Sequence, residues 1–164
     1  MSSKILLADD HHLMREGLRS ILEQDLKLNV IGQASNGLEA VALTRELQPD
    51  AVVMDVHMPV LNGIEATREI RGYCESTKIV ALSMESDRHF VSRMFTAGAH
   101  AYVIKHSAVD ELSAAIRTVM TGRRYISADI TDVVLDDYIE RISTDAEQLE
   151  KILTPKERQA LQLI

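Results

Sequence analysis

At 164 residues the chain has room for one sizeable domain and a small extension. A net charge of −7 argues against broad nucleic-acid binding by this stretch, because neutralising phosphates needs clustered Lys and Arg. The single cysteine, Cys74, excludes an internal disulfide, and no apolar run could cross a bilayer or serve as a signal peptide, so the expected setting is reducing and cytoplasmic, with no membrane partner.

In chain order, the first apolar run is KILLA (4–8), which ends on Asp9-Asp10. Leu13, Leu18, Ile21 and Leu22 then share one face of a helix. A second run, LNVIGQA (28–34), precedes Asn36-Gly37, which opens a helix bearing Leu38, Val41, Ala42 and Leu43; Gln48-Pro49-Asp50 closes it. The third run, AVVM (51–54), stops at Asp55. The fourth, KIVALS (78–83), ends on Ser83, and the fifth, AYVIK (101–105), ends on Lys105. Leu112, Ile116, Val119 and Met120 mark the next helix, and Thr121-Gly122 stops it.

These runs are rich in Val, Ile and Leu and mostly do not alternate with polar residues. That suits a parallel sheet buried on both faces, and the intervening helices imply a doubly wound α/β fold. Residues 123–150 change character: they are acidic, with helical patterning and no further strand. They read as a linker with one helix, or one helix and a second short one, the acidic face at 129–140 facing solvent. In LTPKERQALQLI, Thr154 is a good N-cap, Pro155 suits the first helical position and Glu157 completes a capping-box-like start. The expected division is therefore a domain at 1–122, a linker at 123–150 and the start of a second domain at 151–164.

Strands of a doubly wound sheet put their carboxyl ends on one edge, where ligands bind. Asp9, Asp10, Asp55, Ser83 and Lys105 all end strands, so they are expected to converge there. Three gathered carboxylates repel unless a cation offsets them, and Mg²⁺ prefers oxygen ligands. Asp10 and Asp55 read as direct ligands, with Asp9 acting partly through water. A metal, the Lys105 ammonium and the Ser83 hydroxyl form a set that neutralises a phosphoryl group in transfer, and Asp55 reads as the nucleophile. His11 and His12 are adjacent and read as solvated surface residues.

The segments LLADD (6–10), VVMDVHMPVLNG (52–63), ALS (81–83) and AYVIK (101–105) together resemble the receiver domain of a two-component response regulator. LTPKERQALQLI resembles the first helix of the LuxR-type helix-turn-helix of the NarL/FixJ subfamily, and the chain stops two to three turns into it. The resemblance implies a flavodoxin-like (CheY-like) five-stranded parallel sheet of order 2-1-3-4-5. It also implies that Asp55 takes a phosphoryl group from a sensor histidine kinase or a small donor such as acetyl phosphate. Asp9, Asp10, Asp55 and the backbone carbonyl of His57 would hold Mg²⁺. Lys105 would contact the phosphoryl oxygens, and Ser83 and Tyr102 would be the switch pair. The protein would then be no enzyme beyond its own phosphoryl chemistry. Phosphorylation would favour a homodimer, through the face at residues 87–121 or through the first and fifth helices. DNA would be bound by the full-length C-terminal domain and not by this stretch.

Three positions depart from the common pattern. Met84 follows Ser83 where a small residue is frequent, which would narrow access to the phosphoryl group. His106 stands where many receivers have Pro. His57 and Glu85 occupy places that tune phosphoryl lifetime, so an altered lifetime is expected.

Among rival readings, a receiver that acts only by protein docking differs in lacking a basic helix beyond Ile164. An aspartate-based phosphohydrolase places its nucleophile after the first strand, two residues from a second acid, unlike Asp55. A dinucleotide-dependent oxidoreductase is rejected because no G-x-G-x-x-G follows a strand.

Overall fold

The computed structural model describes residues 2–84 and 86–152, with side chains as far as residue 150. The chain alternates β1 (Ser3–Ala8), α1 (His12–Glu23), β2 (Leu28–Ala34), α2 (Gly37–Leu47), β3 (Ala51–Asp55) and α3 (Gly63–Tyr73). It continues through β4 (Lys78–Ser83), α4 (Arg88–Ala97), β5 (Ala101–Ile104), a 3₁₀ turn at Lys105–Ser107, α5 (Ala108–Met120), β6 (Tyr125–Ile126) and α6 (Ala128–Ile152). All strand pairs are parallel, in the order β2-β1-β3-β4-β5-β6. The five apolar runs thus became the five expected strands, and strand order reverses between β1 and β3.

Continuous apolar runs form such strands because both faces of the sheet are covered. On one face Ile5, Leu7, Val53, Val80, Leu82 and Val103 pack against Leu18 and Leu22 of α1 and Leu112, Ile116 and Val119 of α5. On the other, Leu6, Val52, Met54, Ile79 and Tyr102 pack against α2, α3 and α4. Local chemistry fixes where helices begin. The side chains of Asn36, Asn62 and Asp87 accept from the backbone N–H groups of Glu39, Glu65 and His89, capping α2, α3 and α4. Gln48 ends α2 in the left-handed region at φ 47°.

Four expected face residues are corrected: Leu13, Leu38, Ala42 and, at the last residue of α5, Met120. Leu13 is 85% exposed and Leu38 is also exposed. Each lies in the first turn of a helix that starts at the carboxyl edge, past the strands it would need to touch. Ala42 is exposed too, and α2 buries Gly37, Ala40, Val41 and Thr44 instead.

The expected five-stranded sheet is also corrected: residues 123–127 contribute a sixth strand. Tyr125 and Ile126 pair with Ala101 and Tyr102. Ser127 holds the strand in place. Its N–H donates to Tyr102 O (2.9 Å), its Oγ accepts from Ile104 N–H (3.1 Å), and the same hydroxyl donates to Glu111 Oε2 (2.6 Å). Glu111 Oε1 also accepts from Tyr125 (2.8 Å), and burial together with this contact pushes the Tyr125 phenol up to about 12. Ser127→Ala leaves the buried Ile104 N–H without this acceptor. The variant is expected to lose about 1–3 kcal/mol in urea unfolding and to exchange the Ile104 amide faster; wild-type exchange would show that Ser127 does not anchor the strand.

Beyond β6 the expected linker is one helix, α6, and it does not stand free. Ile130 and Val134 join Val91 and Phe95 of α4 in one cluster. Arg141 Nη2 donates to Ser92 Oγ (2.7 Å), and Arg88 pairs with Glu140. Part of the face expected to receive a partner at 87–121 is therefore covered by α6. The acidic face is solvated for most of its length, as expected, apart from these pairs and Asp129, which accepts from Ser107 (3.3 Å) and pairs with His106 (3.0 Å). Residues 153–164, which carry the helix-turn-helix resemblance, lie outside the described residues, as does Glu85.

Candidate functional site

Parallel strands deliver their last residues to one edge, and the register shows which side chains meet there. Ala8 pairs with Met54, so Asp9 and Asp55 leave neighbouring strands at the same level. Asp55 pairs with Leu82, one residue before Ser83, and Ser83 pairs with Ile104, one residue before Lys105. Asp9, Asp55 and Ser83 are buried, and Lys105 is only 7% exposed.

The Lys105 ammonium lies between two carboxylates: Nζ is 3.0 Å from Asp9 Oδ2 and donates to Asp55 Oδ2 at 3.2 Å. The His57 N–H donates to Asp55 Oδ1 at 3.3 Å. Burial raises the Asp55 carboxyl to about 6, against the lowering effect of Lys105, while Asp9 adds to the rise. Burial pulls the Lys105 ammonium down, but Asp9 and Asp55 outweigh it and leave it above its ordinary value.

The turn after Asp55 is tightly built. A Cβ on Gly63 would lie 2.0 Å from the Asp55 carbonyl oxygen, so only glycine lets α3 start this close to the acid. Val60 has φ 71° and sits in a three-residue turn closed by Leu61 N–H donating to Pro59 O (2.8 Å). A β-branched residue in that region is strained, and the strain lies within five residues of Asp55. The exposed His57 ring meets Phe90 of α4 edge-on, with centroids 4.7 Å apart. Tyr102 is wholly buried on β5, facing the α4 side of the sheet.

His11 is a solvated surface residue, as expected, with its side chain 70% exposed, and its ring also borders the acids. Ligand atoms of Asp9, Asp10, His11 and Asp55 lie within 4.8 Å of one another. His11 Nδ1 is 3.2 Å from Asp9 Oδ1 and 3.1 Å from Asp10 Oδ1. His11 is not in the helix: it is the N-cap of α1, with extended backbone (φ −100°, ψ 111°), which turns its ring back toward the acids while His12 points elsewhere. His12 and Met84 are exposed, and Cys74 is half-buried at the end of α3, its Sγ 2.9 Å from Thr77 Oγ1.

The donor set suits a divalent cation. Three carboxylates face one ammonium, which leaves two negative charges uncompensated (−3 + 1 = −2). Oxygen-rich cups of this kind suit hard divalent ions.

The chain is thus a doubly wound α/β protein that carries an acidic, lysine-bridged cup at its switch point. Residues 5–117 match the family model for the response regulator receiver domain. The chain is 39% identical over 142 residues to the response regulator UvrY of Escherichia coli K12, covering 87% of this chain and 65% of that protein. It is 41% identical over 127 residues to the response regulator GacA of Pseudomonas aeruginosa PAO1, covering 77% and 59%. Among solved structures, a LuxR-family two-component response regulator from Aurantimonas sp. SI85-9A1 superposes with a TM-score of 0.81 at 38% identity, covering 85% of this chain and 99% of that one. The chain belongs to the response regulator receiver domain family. It spans just under two thirds of the length of the curated relatives it matches.

Proposed function

We propose that residues 1–122, in the cytoplasm, receive a phosphoryl group on Asp55 from a sensor histidine kinase, or from acetyl phosphate, and that this switches a DNA-binding transcription regulator. The observation that carries the reading is the buried Lys105 ammonium held between Asp9 and Asp55 at the tip of the central strand. An Asp55 oxygen attacks phosphorus; the bond from phosphorus to the donor's nitrogen or oxygen breaks, and a mixed anhydride forms on Asp55. With a pKa of about 6, Asp55 is mostly ionised at pH 7 and so nucleophilic. Lys105 takes up charge on the phosphoryl oxygens, and Ser83 is the hydroxyl that turns to them. Asp9, Asp10, Asp55 and the His57 carbonyl would hold Mg²⁺, which supplies further charge neutralisation when bound.

Output follows from the Ser83–Tyr102 pair, which biases the loop before α4. Residues 123–150 then act as the linker, and residues from 151 onward open a LuxR-type helix-turn-helix; the phosphorylated form favours a homodimer. The packing of α6 on α4 supports a path from the cup to the linker. Moving the switch from mostly inactive to mostly active requires about 5.5 kcal/mol of preference. Among the described residues no helix is long and apolar enough to cross a membrane.

The test is incubation with acetyl phosphate or beryllofluoride, with and without Mg²⁺, followed by intact and native mass measurement. Wild type should be modified and dimerise in a Mg²⁺-dependent way, and Asp55→Asn should do neither. Equal modification of Asp55→Asn would remove Asp55 as acceptor. His57→Ala is expected to alter the rate at which the phosphoryl group is lost, because it removes the side chain that stands two residues after Asp55 and packs edge-on against Phe90. An unchanged decay in a radiolabel chase would end that role for His57.

A further inference from the structure

The phosphoryl chemistry proposed above gives no task to the His11 ring, yet its nitrogen lies among the acids. Backbone geometry puts it there. The His11 N–H donates to Asp9 Oδ1 (2.8 Å), and its carbonyl accepts from Arg15 N–H (3.0 Å). Arg15 Nη1 in turn donates to the Asp9 carbonyl (2.6 Å), so the turn from β1 into α1 is clamped from both ends. From this turn Nδ1 stands 3.1–3.2 Å from one oxygen of each neighbouring carboxylate.

That spacing serves a hydrogen bond from Nδ1 and adjacent ligands of one metal ion alike. With metal–ligand bonds near 2.0–2.1 Å, neighbouring ligand atoms lie about 2.9 Å apart in an octahedron and about 3.3 Å apart in a tetrahedron. The ring is 70% exposed, so a hydrated cation can reach it from solvent. A neutral imidazole with its proton on Nε2 turns a lone pair toward the same space as the carboxylates, an arrangement that a cation in the middle makes favourable.

We infer that His11 Nδ1 is a direct ligand in the acidic cup and biases it toward nitrogen-seeking divalent ions such as Co²⁺, Ni²⁺ and Zn²⁺ over Mg²⁺. An imidazole nitrogen adds little for Mg²⁺, which prefers oxygen and retains its waters. It adds much for later first-row ions, whose affinity for such sites rises along the series. The cup then discriminates between cations by a residue separate from the three carboxylates. This inference rests on the reading that the cup takes a divalent cation.

The experiment titrates the full chain with Co²⁺ and, separately, with Mg²⁺, comparing wild type with His11→Ala, His11→Asn and Asp10→Asn. Affinity is read by calorimetry, and ligation by hyperfine-shifted ring-carbon protons in the NMR spectrum of the Co²⁺ form. Both His11 variants are expected to lose about ten-fold or more in Co²⁺ affinity, to change Mg²⁺ affinity by less than about two-fold, and to lose one set of shifted imidazole signals. Parallel loss for both ions, or shifted signals that persist without His11, would show that the ring only hydrogen-bonds to the carboxylates. If wild type binds neither ion, or Asp10→Asn binds both as well as wild type does, the cup itself is not a cation site and the inference falls with it.

Discussion

Asp55→Asn will abolish phosphoryl acceptance and, at pH 7, make the protein more stable by roughly 1–3 kcal/mol. The carboxyl is 3% exposed and its pKa is raised from 3.8 to about 6, chiefly by burial. Because the folded value exceeds the unfolded one, the folded state holds the extra proton between these values. Stability from that proton is complete below about pH 4 and is lost as pH rises through 6. A rise of about two units corresponds to roughly 3 kcal/mol withheld at pH 7. Asparagine keeps the shape and escapes the charge, while giving up the charge-assisted contact with Lys105. Urea unfolding at pH 4 and pH 7 checks this: the gain should be present at 7 and near zero at 4. A variant no more stable than wild type at pH 7 would show that the Asp55 carboxylate is not held at an energetic cost.

Lys105→Met will have the opposite effect on stability and the same direction of effect on chemistry. The ammonium faces both Asp9 Oδ2 and Asp55 Oδ2 in a site closed to water on its own side. Breaking a buried pair from one side costs about 3–5 kcal/mol. The cup opens toward Asp10 and His11, where solvent screens the remaining charge, so a loss of about 2–4 kcal/mol at pH 7 is expected. The Asp55 pKa should rise further, since the Lys105 contribution that lowers it is gone. Losing one preorganised charge donor slows phosphoryl transfer by about 10²–10³-fold. Rates with acetyl phosphate and urea unfolding at pH 7 report both effects, and saturating Mg²⁺ should restore part of the stability by binding the folded form. A wild-type transfer rate would remove Lys105 from the chemistry.

The two predictions differ in sign because the cup holds more negative than positive charge. Removing an acid relieves it, and removing the base aggravates it. The uncompensated charge also suits the cup to a divalent cation, so the stability of the free protein and any affinity for such an ion would have one electrostatic origin.

Much of this was legible in the residues. KILLA, LNVIGQA, AVVM, KIVALS and AYVIK are strands because short runs rich in β-branched residues bury both faces in a parallel sheet. Once the sheet is parallel, strand-end residues share an edge, and so Asp9, Asp55, Ser83 and Lys105 could be placed before any coordinates. Where helices are concerned, apolar spacing shows which face is buried but not where the sheet below it stops. Leu13 and Leu38 therefore fit the stripe and still face water.

Residue pattern alone specifies the five longer strands, their shared edge and the acids and base upon it, because each follows from local pattern plus one topological rule. Three further features arise from contacts made on folding. β6 is two residues long, too short to show any period, and exists because Ser127 and Glu111 bind it to β5 and α5. The docking of α6 on α4 depends on contacts between segments about 50 residues apart, such as Arg141 with Ser92. His11 enters the cup because the backbone is still extended at that residue and turns into the helix only after it, a matter of dihedral angles that residue spacing does not encode.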